Sequence, residues 1–89
     1  MAARFGLDMV NGAAVAHVIA EMRRKGMKHF RTRELSDRLM GVHGVGASDP
    51  GHYHAVIGRY LSKYDANLGI RCPDKQERHP SGVLWEIVG

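Results

Sequence analysis

Six histidines and one cysteine are the first candidates in this 89-residue chain for metal binding or nucleophilic attack. His52 and His54 lie two positions apart, which on a helix turns their side chains about 200° away from each other. One ion cannot be bound from opposite faces, so this pair could ligate a metal only if the helix begins later. Cys72 with His79 lacks the second cysteine of a zinc site. We therefore expect no metal ion and no cofactor.

Cys72 is also the candidate nucleophile, because a thiolate beside a histidine can attack an electrophilic carbon. It stands directly before Pro73, and no glycine-rich turn surrounds it. The segment GVHGVG at residues 41–46 lacks the following lysine and the preceding strand of a phosphate-binding loop. We expect Cys72 to be a half-buried structural thiol, and we expect the chain not to be an enzyme.

The composition favours binding through electrostatic attraction over catalysis. The net charge of +4 and the pI near 9.6 are common in nucleic-acid-binding domains, although many basic proteins bind no nucleic acid. A single cysteine fits a reducing compartment and excludes an internal disulfide. No apolar run approaches the ~18 residues that span a bilayer, and the first residues do not form a signal peptide. We expect a cytoplasmic protein, associated with a nucleoid or within a host cytoplasm, and no membrane partner.

One amphipathic helix organises the chain. Asp49 can cap its first amides, Pro50 suits the first helical position, and Gly69 can provide a left-handed exit. These signals predict a helix from about residue 50 to residue 66. The helical spacing places one apolar stripe on the buried side: Tyr53, Ile57, Tyr60, Leu61 and Tyr64, with Val56 at its edge.

The opposite face of this helix combines small residues with cations. Its members are Gly51, His52, Ala55, Gly58, Arg59, Ser62 and Lys63. Small residues allow the backbone of a partner helix or a nucleic acid to approach, and cations beside them can pair with phosphates. The alternative is an ordinary solvated helix face. Tyr60, Tyr64 and Trp85 would stack on bases if exposed, but we expect them to pack in the core.

Residues 1–10 form an arm in which Phe5, Leu7 and Val10 can pack against the core or a second subunit, and Arg4 can reach a phosphate. A first helix is predicted from residue 11 or 12 to residue 25, capped by Asn11 and ended by Gly26. Its expected core positions are Val15, Val18, Ile19 and Met22. The basic run at 23–25 suits the negative end of the helix dipole better than it suits a phosphate.

Short segments connect and follow these helices. Residues 28–31 are predicted to be extended with Phe30 inward, and Thr32 is predicted to cap a second helix that Gly41 ends. Leu35 and Leu39 are its expected core positions, and residues 41–48 are predicted to be a loop. A hairpin is predicted from strands at 70–72 and 83–88, with Val83, Trp85 and Ile87 on one face and a basic loop that carries Lys75, Arg78 and His79.

The predicted order is helix, short strand, helix, helix, strand, basic loop, strand. With the segments FRTREL at 30–35, LSKYDANLGIR at 61–71 and VLWEIVG at 83–89, the chain resembles a winged helix-turn-helix domain of the small phage and bacterial type. The resemblance covers residues 11–88. It implies an α+β fold in which three helices pack on a small antiparallel hairpin, the wing, with a short extra strand before the second helix. We expect the arm at 1–10 and one such domain at 11–89.

In DNA-binding members the third helix enters the major groove and the wing contacts backbone or minor groove. The resemblance therefore implies that His52, Arg59 and Lys63 face the DNA, with Ser62 as a polar contact. It places Lys75, Arg78 and His79 on the wing, and it assigns a phosphate to Arg31 or Arg33.

We expect a small protein that binds duplex DNA as a transcription regulator or as a phage or bacterial accessory factor, with affinity from phosphate neutralisation. A homodimer is expected because two domains multiply a weak affinity. The alternative is a winged-helix scaffold for protein contact, such as a phage-encoded inhibitor of a host enzyme. Positive charge alone does not distinguish DNA from RNA.

Overall fold

Three helices and a three-stranded antiparallel sheet make up the fold, which is α+β. The computed structural model describes residues 5–43 and 50–88, without the side chains of residues 42 and 43. The helices are α1 (Gly12–Arg24), α2 (Thr32–His43) and α3 (Pro50–Leu68). The strands are β1 (His29–Arg31), β2 (Ile70–Arg71) and β3 (Leu84–Ile87), and a short 3-10 turn at Leu7–Met9 precedes α1. None of the described helices is long and apolar enough to cross a membrane.

The residues predicted to cap and to end α1 do so in the structure. The Asn11 side chain accepts a hydrogen bond from the Ala14 amide at 3.2 Å, which satisfies one of the unpaired donors of the first turn. The helix ends before Gly26, whose φ of 83° is the left-handed conformation that glycine adopts without strain. All four predicted core positions of α1 are buried: Val15, Val18, Ile19 and Met22.

The end predicted for α2 is wrong. Gly41 lies inside the helix, which continues to His43. A glycine ends a helix when its backbone takes a positive φ; one that keeps helical angles only lowers the helix propensity, by about 1 kcal/mol. The positive-φ glycines of the described residues are Gly26, Gly69 and Gly82. The rest of the predicted loop, residues 44–48, and the predicted cap Asp49 lie outside the described residues.

Helix α3 begins at Pro50 as predicted and continues two residues beyond the predicted end, to Leu68. Gly69 follows with φ of 70°. The helix is kinked at Tyr64, whose φ of −118° and ψ of 20° are not helical. The predicted stripe faces the core, with Tyr53, Val56, Ile57 and Leu61 buried and with Tyr60 and Tyr64 only half-buried.

The sheet places β3 between the two shorter strands, in the order β1-β3-β2. Phe30 pairs with Trp85 across the first ladder, and Ile70 pairs with Ile87 across the second. All four side chains pack against the helices, so the predicted inner face of the last strand is confirmed. Each strand is slightly shorter than its prediction.

The described part of the N-terminal arm folds back on its own chain. The Phe5 ring lies 4.9 Å from the Tyr53 ring, measured between centroids, and Val10 also packs against the core. Arg4, which was predicted to reach a phosphate, lies outside the described residues.

Gly82 provides a test of how closely the loop after β2 packs on α2. A Cβ at Gly82 would lie 2.8 Å from the Thr32 Cβ, whereas a Cβ at Gly26 would meet nothing within 4 Å. Both glycines have similar positive φ, so Gly26→Ala measures the backbone strain alone, about 1 kcal/mol. We expect Gly82→Ala to lower the free energy of unfolding by about 2 to 4 kcal/mol because steric overlap adds to that strain. Urea denaturation of both variants checks this, and equal losses would contradict the close packing.

Candidate functional site

A groove of about 730 Å³ lies between α3 and the chain segment that returns to β3. One wall is the face of α3 that carries the small residues and cations. The other wall is the segment 79–83, and the first residues of α2 close one end. Five basic side chains line the groove, namely Arg33, His54, Arg59, Lys63 and His79. No aspartate or glutamate lies among its described lining residues, so the groove is suited to an anion.

The groove brings together several of the residues predicted to contact nucleic acid. Arg59, Ser62 and Lys63 come from α3, Arg33 from α2, and His79 from the loop between β2 and β3. Ala55 and Gly58 form the part of the α3 wall without long side chains. The predicted face of α3 and one residue of the basic loop therefore belong to one concave surface.

Arg31 occupies a different position from its neighbour Arg33. Its guanidinium donates to Glu77 Oε1 at 2.8 Å and to the Gly82 carbonyl at 2.9 Å, and a quarter of the side chain is exposed. The hydrogen bond and the charge of this guanidinium lower the pKa of the Glu77 carboxyl. Arg31 thus anchors the loop, and Arg33 is the member of the predicted pair that faces the groove.

The remaining predicted residues lie apart from the groove. His52 Nε2 is 2.6 Å from the Phe5 carbonyl oxygen, so this histidine contacts the N-terminal arm. Lys75 and Arg78 are exposed on the loop between β2 and β3 but do not line the groove. Lys75 and Arg78 therefore add positive charge outside the groove and not within it.

Hydrogen bonds fix the loop wall to the start of α2. The Arg33 amide donates to the Ser81 carbonyl at 2.9 Å, and the Thr32 amide donates to the Val83 carbonyl at 3.3 Å. These are two of the amides that a helix start leaves without intrahelical partners. Since both are already paired, neither of these amides can donate to an anion in the groove. Thr32, which was predicted as the helix cap, is the first helical residue, and its Oγ1 accepts a hydrogen bond from Trp85 Nε1 at 2.9 Å.

A polar cluster that the sequence analysis missed connects α2 to α3 at the groove's end. The Ser36 hydroxyl is fully buried, donates to the Arg33 carbonyl at 3.0 Å, and is hydrogen-bonded to His54 Nδ1. The other ring nitrogen of His54 lies 3.7 Å from the Asp37 carboxylate, which also lies 3.9 Å from Arg33 Nε. These contacts orient His54, and Asp37 offsets part of the positive charge of Arg33.

The aromatic side chains near the groove are mainly structural. Trp85 is 1% exposed and Tyr53 is fully buried, and burial raises the pKa of the Tyr53 phenol to about 12. Tyr60 and Tyr64 contact each other with ring centroids 4.7 Å apart, and Lys63 Nζ lies 5.5 Å from the Tyr64 centroid. Lys63 therefore lies beside a half-buried ring at the kink of α3.

The described residues contain no group of three potential metal ligands. Cys72 is half-buried against the core, as expected for a structural thiol. Comparison of the chain with family models, curated proteins and solved structures finds no match to any of them. The residues of the groove are therefore the features of this chain that indicate a function.

Ser36 and Ser62 form a matched pair of serines for testing the α2–α3 connection. Ser36→Ala leaves His54 Nδ1 without its partner, and we expect a loss of about 1 to 2 kcal/mol in the free energy of unfolding. Ser62 is exposed in the groove, so Ser62→Ala should change that free energy by less than about 0.5 kcal/mol. Chemical denaturation measures both, and an equally small effect at Ser36 would contradict the connection.

The pair formed by Arg31 and Glu77 should make stability depend on acid pH. Because the folded state lowers the pKa of Glu77 from 4.5, its contribution is complete above that value and disappears as pH falls through the lower folded pKa. We expect Glu77→Gln to lower the melting temperature at pH 7, with a difference from the unmodified chain that shrinks below pH 4.5. In an Arg31→Gln background the same substitution should have little further effect. A difference that is constant from pH 7 to 3 would contradict the ion pair.

Proposed function

We propose that this chain is a small winged-helix protein that binds duplex DNA and acts by occupying it, without catalysing a reaction. The three helices and the sheet order β1-β3-β2 are compatible with that fold, in which the loop between β2 and β3 is the wing. The proposal includes a cytoplasmic role as a transcription regulator or as a phage or bacterial accessory factor.

The observation that carries the proposal is the charge of the groove. Its described lining contains no carboxylate and includes five basic side chains, namely Arg33, His54, Arg59, Lys63 and His79. Cations arranged along a concave surface attract a polyanion and release its condensed counterions when they bind its phosphates.

The shape of the α3 wall supports the close approach of a backbone. A Cβ at Gly58 would lie 3.6 Å from Thr32 Cγ2, which is ordinary van der Waals contact. The fold therefore does not require glycine there, and alanine would be the better helix former by about 1 kcal/mol. Because Gly58 has no side chain, nothing projects from the α3 wall between Arg59 and Ala55, and a sugar–phosphate strand would lie there.

A homodimer belongs to the same proposal, because two linked domains on one duplex multiply a weak single-domain affinity.

The second candidate function is docking of a protein, and Pro80 and Val83 favour it because they add apolar surface to the loop wall. A protein partner would require this apolar surface as well as the charge, whereas a nucleic acid depends mainly on the charge.

Charge reversal in the groove separates the two candidates. Arg59→Glu with Lys63→Glu should weaken binding to a 30-base-pair duplex by about 30-fold or more at low salt. The slope of log affinity against log salt should become shallower by about 1.8, since each neutralised phosphate contributes about 0.9. Fluorescence polarisation measures both quantities.

The matched control is Lys25→Glu with Lys28→Glu, which changes the net charge equally at exposed residues that do not line the groove. We expect this control to keep the salt slope of the unmodified chain. Circular dichroism establishes that both double variants are folded. If the unmodified chain binds no duplex even at low salt, the DNA proposal fails and the protein-docking candidate replaces it.

A further inference from the structure

We infer that the groove binds the sugar–phosphate backbone and that its affinity does not depend on base sequence. This inference rests on the proposed function and concerns how the same groove selects its partner. Specific readers of DNA present side chains from the first turns of a recognition helix to base edges. The structure of α3 shows what those turns present.

The first turns of α3 use their polar side chains within the molecule. His52 contacts the Phe5 carbonyl, and His54 contacts Ser36 and Asp37. Tyr53 is fully buried. Pro50 and Gly51, which begin the helix, have no side-chain donor or acceptor. Among these side chains His54 also lines the groove, but its two ring nitrogens already face Ser36 and Asp37. The first turns of α3 therefore use their hydrogen-bonding side chains mainly for contacts with the arm, the core and α2.

The second half of α3 carries charge and offers few groups that read bases. Bases are distinguished best by side chains that make two hydrogen bonds to one base edge, chiefly arginine with guanine and asparagine or glutamine with adenine. Along the described helix these types are Arg59, which lines the groove, and Asn67, which follows the kink and does not line it. Lys63 is a flexible point charge and Ser62 a short hydroxyl, and both suit phosphate oxygens.

The loop wall likewise offers few hydrogen-bonding groups. The His79 ring accepts a hydrogen bond from the Ser81 amide at 3.1 Å through Nδ1. The carbonyls of Ser81 and Gly82 accept from the Arg33 amide and the Arg31 guanidinium. Pro80 has no amide proton to donate. What this wall presents to a ligand is mainly shape, the Ser81 hydroxyl and the remaining ring nitrogen of His79.

The two walls together match a phosphodiester strand, which has the same charge and spacing in every sequence. Contacts to phosphates fix position on a duplex and carry no direct sequence information. A binding site that consists of them has dissociation constants of about 10⁻⁴ to 10⁻⁶ M at physiological salt for any duplex. The groove therefore suits a protein that coats or bridges DNA better than one that finds an operator.

Selection from a library of duplexes with 20 randomised base pairs tests this inference. After several rounds at low salt, we expect no enriched motif, and we expect AT-rich, GC-rich and mixed duplexes to bind within about threefold of one another. An enriched motif that binds about 100-fold more tightly than the library would overturn the inference and leave DNA binding intact. Failure to retain any duplex would overturn both the inference and the proposed function.

Arg59→Gln adds a residue-level test, since Arg59 is the arginine that α3 contributes to the groove, whereas Arg33 lies 3.9 Å from the Asp37 carboxylate. If Arg59 contacts phosphate, the substitution should weaken every duplex in the panel by the same factor, about three- to tenfold at low salt. Asn67→Ala is the control and should leave all affinities unchanged. A loss at Arg59 confined to duplexes with particular guanines, or a sequence-dependent loss at Asn67, would show base readout and overturn the inference.

Discussion

The hydrogen bond from the buried Trp85 indole to the Thr32 hydroxyl connects the central strand to the start of α2, and both sides of the groove depend on it. Trp85 is 1% exposed and Thr32 is 6% exposed, so neither group can replace its partner with water without exposing the core. The same first turn of α2 binds the returning loop through the amides of Thr32 and Arg33. One short stretch of chain therefore fixes the strand, the helix and the loop relative to one another. The groove is a consequence of this junction as much as of α3.

The elements that could be predicted from the sequence are those that local signals determine. The cap at Asn11, the apolar period of α1 and the alternation around Trp85 act within a few residues, and the structure agrees with each of them. The end of α2 was predicted wrongly because Gly41, like Gly26, is a glycine that follows a helical segment. Gly41 nevertheless keeps helical backbone angles, whereas Gly26 does not. The choice between those conformations depends on packing beyond the local sequence.

The site could be predicted only in part, for a related reason. Helical spacing was sufficient to place Arg59, Ser62 and Lys63 on one face. Spacing could not distinguish Arg31 from Arg33, because the Arg31 partner Glu77 lies 46 residues away. It could not show that His54 meets Ser36 across 18 residues, or that His52 meets the arm. Long-range polar contacts thus decided which of the predicted side chains remain directed at the groove.

The shortness of the outer strands has a consequence for behaviour at high concentration. A sheet edge with unpaired amides and carbonyls can recruit the edge of another molecule, and the risk grows with the length of the exposed strand. Here the outer strands are only three and two residues long. Two chains that met at these edges could form few backbone hydrogen bonds. The fold therefore discourages edge-to-edge aggregation at high protein concentration.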